Sequence, residues 1–207
     1  MFPSGSPVYP ITDVHLTGLS HSEQVARLID GGATLIQLRE KRLSPQEFFL
    51  QADEAVRFAH HRGVRVIIND RVDVALAVRA DGVHLGQDDM AASGARELLG
   101  PQAIIGLSTH NMEQAVRALG QPIDYIAIGP IFTTTSKTDP NPAVGLEGIR
   151  EVRRLVGGTP LIAIGGITEG NALAVFDAGA DVIALISALL ADPPEITAKT
   201  RHFLGLR

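Results

Sequence analysis

At 207 residues the chain has room for one large domain or two small ones. Eighteen Lys and Arg (18) against 23 Asp and Glu leave a formal charge of −5, which argues against a general nucleic-acid binder, and the absence of cysteine excludes a disulfide-stapled module, a cysteine nucleophile and any thiolate zinc site. Apolar residues reach 45% with only 4% aromatics, so the expected core is aliphatic; the longest clean apolar run, 182–191, is too short to cross a bilayer, and residues 1–6 carry no signal-peptide pattern, so a cytoplasmic protein is expected.

Eight short runs of β-branched and aliphatic residues follow in order, at 8–11, 35–38, 64–68, 82–85, 104–107, 125–128, 161–164 and 182–186. Most lack apolar/polar alternation, which is how strands buried on both faces of a parallel sheet read. Helical spacing fills the gaps. Ser44-Pro45-Gln46-Glu47 is a capping box with proline at N1, opening a helix whose apolar positions are Phe48, Ala52, Ala55 and Phe58. Asn111 and Asn171 are expected to cap helices starting at Met112 and Ala172, and Asp192-Pro193-Pro194-Glu195 repeats the capping signature before the last helix. Several helix-to-strand junctions echo one another, among them Ala80-Asp81-Gly82, Ile123-Asp124-Tyr125 and Gly179-Ala180-Asp181. Eight β/α units of about 26 residues exhaust the chain, which predicts a (β/α)8 TIM barrel forming one domain over 1–207. The rival, an open doubly wound sheet, usually carries GxGxxG after its first strand, and none is present there.

In such a barrel the active site lies at the C-terminal strand ends. The second run ends Gln37-Leu38-Arg39-Glu40-Lys41, with Gln37, Arg39 and Lys41 on one face and Leu38 and Glu40 on the other. The third ends in Asn69-Asp70 and the fourth in Asp88-Asp89; each acid suits either a helix cap or, as a pair on adjacent strand ends, a hard cation such as Mg²⁺. The fifth leads into Ser108-Thr109-His110, and the sixth into the longest loop, 129–140, whose hydroxyls and Lys137 read as a surface loop or a phosphate-gripping lid. Gly165-Gly166 and Ile186-Ser187, after the last two strands, are placed for phosphate binding. His84 reads as a hydrogen-bonded core residue, and no Ser/His/Asp order suggests a triad.

Gln37 to Lys41, Ile68-Asn69-Asp70-Arg71-Val72-Asp73, Val83 to Asp89, Gly106 to His110, Gly129-Pro130-Ile131-Phe132 with Lys137, Ile164 to Ile167 and Ile186-Ser187 together resemble the thiamine phosphate synthase family, in order and spacing. The resemblance implies a transferase that joins hydroxymethylpyrimidine diphosphate to a thiazole phosphate (or its carboxylate) and releases pyrophosphate. Its partners would be small phosphorylated substrates, neither nucleic acid nor membrane. It assigns Gln37, Leu38, Arg39, Glu40, Lys41, Asn69, Ser108 and Lys137 to the pyrimidine diphosphate. Arg39, Lys41, Ser108 and Lys137 would act in catalysis, Asp70 and Asp89 would hold Mg²⁺, and Thr134, Thr135, Ser136, Gly166, Ile186 and Ser187 would hold the thiazole phosphate. The implied reaction is dissociative: the pyrimidine C–O bond ionises, and the thiazole nitrogen captures the cation. One departure is Thr133, where the family's loop has proline. The related thiazole tautomerase branch generally lacks the paired aspartates and the loop lysine, and a non-catalytic phosphate-ligand regulator would have no reason to keep them.

Overall fold

A computed structural model describes residues 6–133 and 142–207. The chain runs through β1 (Val8–Pro10), α1 (Val14–Thr17), α2 (His21–Asp30), β2 (Leu35–Leu38), α3 (Pro45–His60), β3 (Arg65–Asn69), α4 (Val72–Ala77) and β4 (Gly82–Leu85). It continues through α5 (Ala92–Leu99), β5 (Ile104–Thr109), α6 (Met112–Ala118), β6 (Tyr125–Ile128), α7 (Gly145–Val156), β7 (Leu161–Ile164), α8 (Glu169–Asp177) and β8 (Val182–Leu185). A four-residue helix α9 (Ser187–Leu190), a 3-10 turn (Pro193–Glu195) and α10 (Ile196–Leu204) complete it.

The strands pair in parallel in the order β1-β8-β7-β6-β5-β4-β3-β2. Closure comes from Ile11, which bridges Gln37 in parallel while its N–H donates to Leu185 O at 3.0 Å, and from Thr12 N–H, which donates to Gln37 O at 2.9 Å. Eight parallel strands alternating with helices make a (β/α)8 barrel, as the strand count predicts. The runs lack alternation because both faces are buried. Leu35, Ile67, Ile104, Ile162 and Val182 fill the barrel interior, while Ile36, Ile68, Ile105, Ile126 and Ile183 pack under the helices. Each such side chain taken from water contributes about 1.5–3 kcal/mol. Among the described residues, no helix is long and apolar enough to cross a membrane.

The repeated junction aspartates have a shared job at the N-terminal end of the barrel. Asp81 accepts Val66 N–H at 2.7 Å, Asp124 accepts Ile105 N–H at 2.9 Å and Asp181 accepts Leu161 N–H at 2.8 Å. Each therefore caps the first free amide of the preceding strand. Each also meets a base from the helix before that strand: His60, Arg96 and Arg153 respectively. For Asp124, burial works against ionisation, but Ile105 N–H and Arg96 outweigh it and lower its pKa. The β3–β4, β5–β6 and β7–β8 pairs are stapled in this way, leaving the opposite end for chemistry.

Helix starts agree with the sequence in part. Ser44 with Glu47 forms the expected capping box, and Asn111 accepts Gln114 N–H. A second box, Ser20 with Glu23, opens α2. Asn171 does not start a helix: α8 begins at Glu169, capped by Thr168, and Asn171 is the N3 partner that reaches back to Thr168 N–H at 2.8 Å. Asp192 makes no side-chain cap, because the two prolines wind the next residues into a 3-10 turn before α10 begins. Phe58 is half-buried against the core, with Arg62 over its ring at 4.2 Å, rather than within it.

Candidate active site

A pocket opens at the C-terminal end of the barrel. Its wall includes Gln37 and Arg39 from the end of β2, Asn69 from β3 and Ser108 from β5. Across from them stand Gly166, after β7, and Ile186 and Ser187, after β8. Seven of the residues singled out from the sequence therefore meet around one cavity. Leu38 does not: its side chain is fully buried in the shell between strands and helices, on the face opposite to Gln37. Thr134, Thr135, Ser136 and Lys137 lie outside the described residues. The segments on either side of them are tied to the pocket rim, since Ile131 N–H donates to Ile164 O and Gly145 N–H to Ile131 O.

Glu40 is a loop organiser. Its Oε1 accepts the backbone N–H groups of Lys41 at 2.7 Å, Arg42 at 2.6 Å and Leu43 at 3.1 Å. Its Oε2 lies 3.6 Å from Nε2 of the fully buried His21, whose other nitrogen sits 2.8 Å from Thr12 Oγ1. Thr12 in turn donates to Gln37 O and accepts Arg39 N–H, both at 3.3 Å. Burial pushes the Glu40 pKa up, but the His21 contact and the three amides outweigh it and draw it down to about 2. The turn that carries Arg39 and Lys41 is thus built around one ionised carboxylate.

Lys41, Asp70 and Asp89 do not line the pocket but follow β2, β3 and β4 at the same end of the barrel, and the two acids sit as a pair. Asp70 is one of two non-glycine residues with positive φ among the described residues, at 60°, a strained conformation held by its N–H donating to His84 O at 2.8 Å. Its carboxylate pairs with Lys41. Asp89 accepts Gly86 N–H at 2.7 Å. Burial raises the Asp89 pKa; Gly86 N–H opposes this, and the neighbouring Asp70 carboxyl raises it further, with Lys41 a weaker counterweight. Two neighbouring carboxylates offer the hard oxygen donors that a divalent cation takes, so this donor set fits Mg²⁺. Among the described residues no third His, Cys, Asp or Glu joins them. Two described cations at this end of the barrel are paired as well, Lys41 with Asp70 and Arg39 with Asp13 at 3.0 Å.

The wall of β7 depends on backbone freedom. Gly165 and Gly166 have φ of 102° and 65°, and a Cβ on Gly166 would lie 2.7 Å from Phe132 Cβ. The two glycines let the loop after β6 lie directly on the turn after β7, so they shape this side of the pocket by packing as well as by exposing backbone.

The residues of the chain from 8 to 189 match the family model described as thiamine monophosphate synthase. The chain belongs to the thiamine monophosphate synthase family. It is 45% identical over 200 residues to the thiamine-phosphate synthase of Chloroflexus aurantiacus, covering 96% of this chain and 91% of that one. To the thiamine-phosphate synthase of Koribacter versatilis it is 49% identical over 166 residues, 80% and 78% of the two chains. The solved thiamine phosphate pyrophosphorylase of Pyrococcus furiosus superposes with a TM-score of 0.85 at 36% identity, covering 95% of this chain and 92% of that one.

Within this family barrel, sequence reasoning passed over the floor of the pocket. Tyr9 and Tyr125, the chain's only two tyrosines, are 1% and 0% exposed inside the barrel, and they were legible only as members of strand runs. Thr12, Asp13 and His21 were missed too, because they come from the first β/α connection and support β2 only after the barrel closes. The rarity of tyrosine in this chain was the one available signal.

Proposed function

We propose that this enzyme, a transferase of the thiamine-phosphate synthase type, condenses hydroxymethylpyrimidine diphosphate with a thiazole phosphate, releasing pyrophosphate. The observation that carries the reading is that Gln37, Arg39, Asn69 and Ser108 share one pocket wall, while Lys41, Asp70 and Asp89 follow β2, β3 and β4 at the same end of the barrel. Gln37, Asn69 and Ser108 orient the pyrimidine. Arg39, Lys41 and Lys137 take the diphosphate, and Glu40 holds the turn that presents the first two. Asp70 and Asp89 would hold Mg²⁺, which when bound supplies positive charge against the diphosphate oxygens.

The residue types favour a dissociative route. Such a route calls for no protein nucleophile, since the pyrimidine C–O bond breaks and its electron pair leaves with the pyrophosphate. Arg39, Lys41 and Lys137 stabilise that departing charge, and the thiazole nitrogen then forms the new C–N bond to the pyrimidine methylene. Thr134, Thr135, Ser136, Gly166, Ile186 and Ser187 would grip the thiazole phosphate so that its nitrogen faces the pyrimidine. Supplying both substrates with Mg²⁺ and following pyrophosphate release together with thiamine phosphate formation tests the reading. Absence of both products from folded protein overturns it, and formation of a thiazole isomer instead would move the protein to the tautomerase branch. Lys137→Ala is expected to lower turnover strongly in a folded variant, and wild-type rates there would remove Lys137 from its role.

A further inference from the structure

A thread of polar side chains crosses the barrel at the floor of the pocket, which Tyr9 and His84 help to line. Gln37 Nε2 donates to Tyr9 Oη at 3.1 Å, and Tyr9 Oη lies 3.1 Å from Tyr125 Oη. Tyr125 Oη lies 2.8 Å from His84 Nδ1, and His84 Nε2 lies 2.8 Å from Ser108 Oγ. The path runs from β2 through β1, β6 and β4 to β5. Its two ends, Gln37 and Ser108, are the pocket residues assigned above to the pyrimidine; its three middle members have no role in that assignment.

The fold makes room for this thread at a cost. A Cβ on Gly106 would lie 1.9 Å from Tyr125 Cζ, so β5 gives up a side chain to let the phenol ring lie across it. The Tyr125 and His84 rings are near-parallel, 19° apart, while Tyr9 meets Tyr125 edge-on at 87°. Burial raises the pKa of both tyrosines, so each keeps its O–H proton and can donate as well as accept.

We propose that Tyr9, Tyr125 and His84 are positioning residues that fix the hydrogen-bond polarity of the pocket, with donors running in one sense from Gln37 to Ser108. The Gln37 amide nitrogen can only donate, so Tyr9 Oη accepts there and its own O–H donates to Tyr125 Oη. Tyr125 donates to the Nδ1 lone pair of His84. A neutral imidazole that accepts at Nδ1 carries its proton on Nε2, and that N–H donates to Ser108 Oγ. Ser108 then turns its hydroxyl proton to the pocket, and Gln37 turns its carbonyl oxygen there. One end of the wall accepts and the other donates. The ligand class that matches is a ring with an exocyclic N–H donor beside a ring-nitrogen acceptor, as in a 4-aminopyrimidine; a 4-oxo analogue presents the opposite pattern and leaves buried polar groups unpaired.

This inference rests on the pyrimidine reading of Gln37 and Ser108, and the first test does not need it. In the substrate-free protein, ¹⁵N NMR of the His84 ring is expected to show the neutral Nε2–H form with Nδ1 as acceptor. An Nδ1–H tautomer or an imidazolium overturns the proposal, whatever the enzyme makes. Tyr125→Phe keeps the ring over Gly106 and removes the hydroxyl. In a folded variant its KM for the pyrimidine diphosphate is expected to rise about 3- to 10-fold, the effect of one lost hydrogen bond, with KM for the thiazole phosphate unchanged. Equal movement of both constants, or of neither, refutes a positioning role. His84→Gln can still accept at one atom and donate at the other, so it is expected to recover the pyrimidine KM that His84→Leu loses; equal impairment of the two counts against the relay.

Discussion

Glu40→Gln is the sharpest test of how the turn that carries Arg39 and Lys41 is held. The substitution keeps size and one acceptor oxygen but removes the charge that gathers the N–H groups of Lys41, Arg42 and Leu43. Lowering the Glu40 pKa from 4.5 to about 2 corresponds to about 3.4 kcal/mol at 1.36 kcal/mol per unit. The carboxyl side chain is 8% exposed, but the turn it holds is open to solvent, and screening trims the contribution to about 1–2 kcal/mol. For a chain of this size that is a fall in Tm of about 2–8 °C. The sign follows from a folded-state pKa lying below the unfolded one: the stabilisation is complete above about pH 4.5 and is lost as pH falls through about 2. Urea unfolding of the wild type and Glu40→Gln is therefore expected to show a gap of about 1–2 kcal/mol at pH 7 that narrows at pH 3. No gap at pH 7, or the same gap at both, would show that the charge does not organise the turn.

Three further outcomes follow from the site. Arg39→Ala removes a donor at the pocket wall and is expected to lower kcat/KM about 10²–10³-fold with the fold retained; steady-state kinetics at near-wild-type activity would take Arg39 out of the machinery. Asp89→Asn should raise the Mg²⁺ concentration needed for half-maximal rate, and an unchanged metal titration would remove Asp89 from the ligand set. Gly106→Ala forces a methyl against the Tyr125 ring and is expected to cost about 1–3 kcal/mol in denaturant unfolding, whereas a neutral effect would mean that the ring moves aside freely.

Much of the barrel is legible in the chain because its signals are local. Leu35–Leu38, Gly82–Leu85, Tyr125–Ile128 and Leu161–Ile164 are strands over the residues their aliphatic runs predict, since a strand buried on both faces needs nothing but apolar side chains. Helix caps read less well where two candidates compete, as Thr168 and Asn171 do, because the same side chain serves at N-cap or at N3. The residues of the pocket wall were visible as polar groups following strand ends, and the ordered motifs gave them a family.

What the sequence determined alone was therefore the periodic part: eight buried runs, their parallel stacking, and which polar groups fall at the C-terminal mouth. Only the closed barrel decided what those groups touch. It set Glu40 on the amides of its own turn, Lys41 on Asp70 and Arg39 on Asp13, and joined Gln37 to Ser108 through two tyrosines and a histidine. Those contacts bridge strands far apart in the chain, up to 116 residues in the case of Tyr9 and Tyr125. No local spacing encodes them, because they exist only once closure brings opposite walls of one barrel within hydrogen-bond reach.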